Sequence, residues 1–259
     1  MSLVDILTVG SGSVVGFALG LLGGGGSILA VPLLIYVVGM RSPHMAIGTS
    51  ALAVSANAFA NLISHSRAGN VKWPCAAVFA LSGVAGAAAG AALGKMVDGQ
   101  KLLFFFGLVM IAVAAAMLRP RAAEGDPSVR INPSIATRLV ATGMIVGLVS
   151  GFFGIGGGFL IVPAIMLGSG MATLNAVGSS LLSVGAFGLT TAISYASAGL
   201  VDWHVAGLFV GGGVAGGLVG VFLAGRLAAQ KSVLTRVFAV AVLAVAAFIL
   251  WKSAPALFG

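Results

Sequence analysis

"GLLGGGGSILAVP" (Gly20–Pro32) and "GFFGIGGGFLIVP" (Gly151–Pro163) decide the fold of this chain. Each lies inside an apolar stretch long enough to cross a membrane, and four glycines in a row are a poor way to continue a helix. In hydrocarbon, an interrupted helix exposes N–H and C=O groups that are costly when unpaired, so breaks persist only where protein, water or a solute satisfies them. Glycine supplies the φ > 0 conformations such a break needs and lets a solute approach the backbone. The arms that follow, starting near Ser27 and Gly158, would present their first amide N–H groups and the positive end of a helix dipole, which together suit an anion.

The rest of the chain agrees with a lipid setting. Of 259 residues, 59% are hydrophobic and 7% charged, with mean hydropathy +1.17. A soluble domain needs more polar surface than that. The net charge of +8 comes from 13 Lys and Arg scattered singly between apolar runs. That is the pattern of residues flanking membrane spans, not of a nucleic-acid-binding face. The single cysteine, Cys75, excludes an internal disulfide and a CxxC metal site, and no metal or cofactor motif is present. The N-terminus carries Asp5 instead of a basic leader and is expected to be retained. Neither glycine tract has the Lys-Ser/Thr ending of a P-loop.

Apolar segments fall at 6–39, 46–65, 74–95, 101–118, 139–168, 176–197, 203–225 and 232–251. The first and fifth are too long for one span, and both contain the glycine motif. A polar connector, residues 119–138, divides a first transmembrane repeat (1–118) from a second (139–259). At an offset of 131, Gly16–Pro32 matches Gly147–Pro163 at 8 of 17 positions. At an offset of 130, Gly48–Trp73 matches Gly178–Trp203 at 11 of 26, including "AGNVKW" against "AGLVDW". The halves are repeats.

Charge orients them. With four simple spans per half, alternating loops carry 7 Lys/Arg (Arg67, Lys72, Arg119, Arg121, Arg130, Arg138, Lys252) against 6 (Arg41, Lys95, Lys101, Arg226, Lys231, Arg236). If the glycines turn the chain back, moving Arg226, Lys231 and Arg236 to the first side and Lys252 to the second gives 9 against 4. The positive-inside rule selects this second arrangement. The expected fold is therefore an all-α polytopic membrane protein with two inverted repeats, each a glycine-broken helical hairpin plus three transmembrane helices. Both termini lie outside the cytoplasm of a bacterial-type inner membrane, and the connector lies inside.

The candidate substrate-binding residues are Gly23, Gly24, Gly25, Gly26 and Ser27 with Gly154, Gly156, Gly157 and Gly158. Thr49-Ser50 and the equivalent Ser179-Ser180 are expected either to cap their helices or to touch substrate. Asn57 and Asn61 share a helix face with Ser64 and His65 and should point inward, away from lipid. His44 and His65 are the candidate proton relays. Glycines at four-residue spacing (Gly86, Gly90, Gly94; Gly212, Gly216, Gly220) read instead as helix-packing stripes. Trp73 and Trp203 fit an interfacial belt. No Asp or Glu lies in mid-span, which removes the acid–base pairs a hydrolase needs.

These motifs, together with "HMAIGTS" (His44–Ser50) and its echo "NAVGSS" (Asn175–Ser180), resemble the TauE/SafE family of sulfite exporters and organosulfonate permeases, also described as the 4-toluenesulfonate uptake permease family. By motif the resemblance carries over Gly23, Gly25, Gly26, Pro32, His44, Gly48, Thr49 and Ser50, with Gly154, Gly156, Gly157, Pro163, Asn175, Gly178, Ser179 and Ser180. Asn175 stands where the first half has His44, which confines any imidazole role to one half. The resemblance implies a secondary transporter of small sulfur-containing anions such as sulfite, sulfoacetate or related sulfonates. Export by alternating access is the expectation. The alternatives are an anion channel and a proton-coupled importer of another small anion. The expected partners are that small anion and the lipid bilayer; nothing in the sequence sets the oligomeric state.

Overall fold

A computed structural model describes residues 2–118, 125–126, 128–154, 158–226 and 231–253. Among these residues ten α-helices follow one another: α1 Leu3–Leu22, α2 Ala30–Tyr36, α3 Pro43–Arg67, α4 Trp73–Met96, α5 Gly99–Leu118, α6 Pro133–Phe153, α7 Gly158–Ser169, α8 Thr173–Ala196, α9 Trp203–Arg226 and α10 Lys231–Ser253. A 3₁₀ segment, Gly23–Leu29, joins α1 to α2. Among the described residues, seven helices are long and apolar enough to cross a membrane. Gly156 and Gly157 of the second tract lie outside the described residues.

Local chemistry sets several helix starts. Ser42 accepts the Met45 N–H and is followed by Pro43, while Asn132 accepts the Ile135 N–H at 2.8 Å and is followed by Pro133. A side-chain cap followed by proline at the first helical position is a strong start signal. It brings α6 in at Pro133, earlier than the apolar run beginning near residue 139. Asp126 ties the connector to the α7–α8 turn: its N–H donates to Gly170 O at 2.9 Å and its carbonyl accepts from Ala172 at 3.2 Å. Its carboxylate accepts from the Ser128 hydroxyl and amide, which holds it below the usual carboxylate range.

Glycines bring the helices together. Gly12, Gly16 and Gly20 of α1 lie on the backbone of Phe209, Gly213 and Gly217 of α9, so these helices run parallel. Gly143, Gly147 and Gly151 of α6 lie likewise on Phe79, Gly83 and Ala87 of α4, also parallel. The second set is the first carried to the other half by the repeat offsets. The first helix of each half thus packs on the third long helix of the other. Gly86, Gly90 and Gly94 meet the backbone of α6, and Gly212, Gly216 and Gly220 meet that of α1. Each is a small-residue stripe admitting close backbone approach.

At the centre, α3 packs on α8. Gly48 faces Tyr195 and Leu200, Gly188 faces Ala51 and Ser55, and Gly178 faces Asn70, so this pair is antiparallel. Ser55 Oγ donates to Gly185 O at 2.7 Å, and these two residues are equivalent under the repeat. The bond thus joins equivalent positions of the two halves. Asn57 against Gly213 and Asn61 against Gly217 make α3 parallel to α9, hence to α1. Lys72 beside Ser179 and Lys95 beside Ser194 make α4 parallel to α8. Helices α1, α3 and α9 therefore run one way, and α4, α6 and α8 the other. Since α1 and α3 are parallel, the intervening arm must return across the thickness between them.

Candidate substrate site

The first glycine tract turns the chain. A Cβ on Gly26 would run into the backbone of Ala18 and Leu19, eight and seven residues earlier on α1. A continuing helix would carry those residues far apart, so the segment folds back along α1. The α-helical arm starts at Ala30, later than the Ser27 start expected from the sequence. Gly23, Gly24, Gly25, Gly26 and Ser27 wind instead as part of the 3₁₀ helix. Its tighter i→i+3 bonds occupy N–H groups that an abrupt break would leave open. Gly25, Gly26 and Ser27 are buried.

The second tract breaks differently. α6 ends in a left-handed residue, Gly154 (φ 67°), whose N–H donates back to Ser150 and Gly151. The return arm α7 begins at Gly158, as expected, and contains Pro163. Gly154 presses on Ile47 of α3, three residues after His44. The 3₁₀ segment packs on α7 and α8, so the interrupted stretch of one half lies against the return arm of the other.

The hydroxyl pairs do not cap their own helices. Thr49 and Ser50 lie beyond the first turn of α3, and Ser179 and Ser180 occupy the same place in α8. Thr49 Oγ1 accepts from Asp202 N at 3.0 Å, and Ser179 Oγ accepts from Lys72 N at 2.9 Å. Asp202 and Lys72 immediately precede α9 and α4. Each half thus holds the start of a long helix in the other half, a cross-link unread from the sequence. The signal for it was the pairing of Thr49/Ser179 with Lys72/Asp202 at one offset. Ser50 and Ser180 donate to Ile47 O and Val177 O within their own helices, at 3.0 and 2.8 Å.

Asn57, Asn61 and His65 are buried on α3, as expected of inward-facing polar groups. Asn57 and Asn61 face α9 at Gly213 and Gly217, the same α9 glycines that Gly16 and Gly20 of α1 pack on. His44 stands at the start of α3 with its ring 6.2 Å from that of Tyr195. Lys95 reaches the same ring at 5.9 Å while donating to Ser194 O at 2.9 Å. This grouping of His44, Tyr195 and Lys95 at one end of the bundle was missed, because it joins three distant segments. The candidate residues thus lie at the glycine turns, at the α3–α9 crossing beside Gly16 and Gly20 of α1, and at the His44 end.

The sequence profile described as "Sulfite exporter TauE/SafE" matches residues 8–249, nearly the whole chain. The chain belongs to the TauE/SafE family. A "Probable membrane transporter protein" of Xylella fastidiosa (strain 9a5c) is 55% identical to this TauE/SafE protein over 252 residues, covering 96% of this chain and 95% of the relative. "Probable membrane transporter protein YunE" of Bacillus subtilis (strain 168) is 27% identical over 236 residues, covering 83% and 86%. No solved structure matches the chain. With its apolar helices, this TauE/SafE protein is a multi-pass membrane transporter.

Proposed function

We propose that this TauE/SafE protein is a secondary transporter that exports a small sulfur-containing anion, sulfite or a small sulfonate such as sulfoacetate, by alternating access. The observation that carries the reading is the packing of the 3₁₀ glycine segment against α7. Interrupted helices that meet from two repeats are the recurrent site architecture of secondary transporters. The positive end of the α7 dipole favours negative charge there. The antiparallel α3–α8 pair and the parallel α1–α9 and α4–α6 pairs support an inverted relation between the halves. In that arrangement the connector shares a face with the α3–α4 and α9–α10 turns, which gathers nine of the Lys/Arg positions and supports a cytoplasmic assignment. With the cell exterior positive, exit of an anion is favoured by about 2.3 kcal/mol per charge per 100 mV.

The test has two stages. Detergent-purified protein is melted with sulfite, sulfoacetate, taurine and the carboxylate analogue of sulfoacetate. Stabilisation by sulfite or sulfoacetate, and not by the carboxylate, is the expected result. Proteoliposomes then measure flux against concentration, and saturation is expected of a transporter. Flux that rises linearly with concentration and carries steady current would replace the transporter with a channel.

A further inference from the structure

Asn57 is fully buried on α3, and neither its amide nitrogen nor its amide oxygen has a hydrogen-bond partner. Turning the amide over changes nothing, since both atoms are unpaired. The amide lies against the bare backbone of Gly213, at the point where Gly213 also meets Gly16. This is the crossing of α1, α3 and α9, two residues from the Ser55–Gly185 bond between equivalent positions of the halves. Asn61, one turn along, donates from Nδ2 to Asn57 O at 3.0 Å and faces Gly217. The repeat supplies the comparison. In the second half the place of Asn57 is taken by Phe187, which lies on Gly83 as Asn57 lies on Gly213 and stacks on Phe79 at 6.2 Å. The equivalent contact in the second half accepts a phenyl ring that needs no partner, yet the first half keeps a carboxamide with two unmet bonds in a low-dielectric interior. Such a group is retained where a ligand completes it.

We propose that Asn57 donates to the transported oxyanion at the α3–α9 crossing, and that the chain binds one anion, because Phe187 takes the equivalent position of the second half. This rests on the anion-transporter reading above. A cation suits the place less well. The five carboxylates of the sequence, Asp5, Asp98, Glu124, Asp126 and Asp202, all sit near helix ends or in the connector, away from mid-span. A carboxamide N–H gives a charge-assisted bond to an oxyanion, and the second N–H of the Asn61 amide lies one turn away.

The decisive variant is Asn57→Phe, which copies the second half. It is expected to fold, to melt no lower than the parent without ligand, and to bind sulfite about tenfold to a hundredfold more weakly. Asn57→Ala, too small to clash, is expected to weaken sulfite binding equally and stands in if the phenylalanine variant does not fold. Phe187→Ala should keep the parental sulfite affinity. Equilibrium binding of radiolabelled sulfite should count one anion per chain. Parental affinity in Asn57→Phe or Asn57→Ala, or two anions per chain, overturns this proposal alone. A parent protein that binds none of the sulfur oxyanions overturns the transporter reading with it.

Discussion

At Gly154 the backbone takes φ 67°, and a side chain there would meet Ile47. Both conditions exclude other residues: the left-handed region strains any Cβ, and α3 leaves no room for one. Gly154→Ala should cost about 1–3 kcal/mol, read as a lower melting temperature in detergent. Adding Ile47→Ala should recover the steric part and leave the backbone part. The cross-half hydroxyl bonds make a second residue-scale prediction. Thr49→Val and Ser179→Ala each leave a helix-leading N–H without its acceptor, for about 1–2 kcal/mol. The two bonds lie at opposite ends of the central pair, so the double variant should lose the sum to within about 0.5 kcal/mol. Thr49→Ser should melt as the parent does. The glycine motif and the hydroxyl pairs were legible as special residues. Their partners were not, because Thr49 and Asp202 are 153 residues apart and no local pattern links them.

At the scale of elements, the two glycine tracts are equivalent in sequence and unlike in form. One winds as a 3₁₀ segment, and the other stops α6 at a left-handed glycine. Gly26 meets Ala18 and Leu19 so closely that Gly26→Val should force the return arm off α1. Transport is expected to be lost while the protein still inserts, which membrane fractionation and a flux assay check together. The packing stripes behave differently. Gly16→Leu places a branched chain on the Gly213 carbonyl and should separate α1 from α9. Loss of the folded, monodisperse protein on size exclusion is the expected readout. The stripes were readable from four-residue spacing, because close helix contact in lipid demands small residues on one face. Which helix each stripe meets was not readable, since every stripe could in principle serve any neighbour.

For the whole molecule, the helix directions put the start of α1 and the end of α10 at one end of the bundle and the start of α6 at the other, which predicts termini outside the cytoplasm and the connector inside. Cys75 is the only cysteine and is buried, so a cysteine-free background needs one substitution, Cys75→Ser. In that background, Ser2→Cys should react with an impermeant maleimide added to intact cells. Ser128→Cys should react only after the membrane is opened. Labelling of both from outside would contradict the crossed arrangement of the halves. Equivalent tryptophans at the starts of α4 and α9, 49% and 68% exposed, then fall at opposite faces, where amphipathic rings stabilise the depth of the bundle.

The sequence by itself determined a lipid-embedded helical chain, its duplication, the two interrupted segments and the family signature. These follow from composition, hydropathy and spacing, which act locally. Only tertiary structure decided that the halves exchange their first helices, that Thr49 and Ser179 anchor helices of the other half, and that Asn57 stands unpaired where Phe187 fills its counterpart. Those outcomes depend on which backbone lies opposite a side chain. In a bilayer that is set by close packing among similar apolar surfaces, and hydrophobicity alone does not distinguish one such neighbour from another.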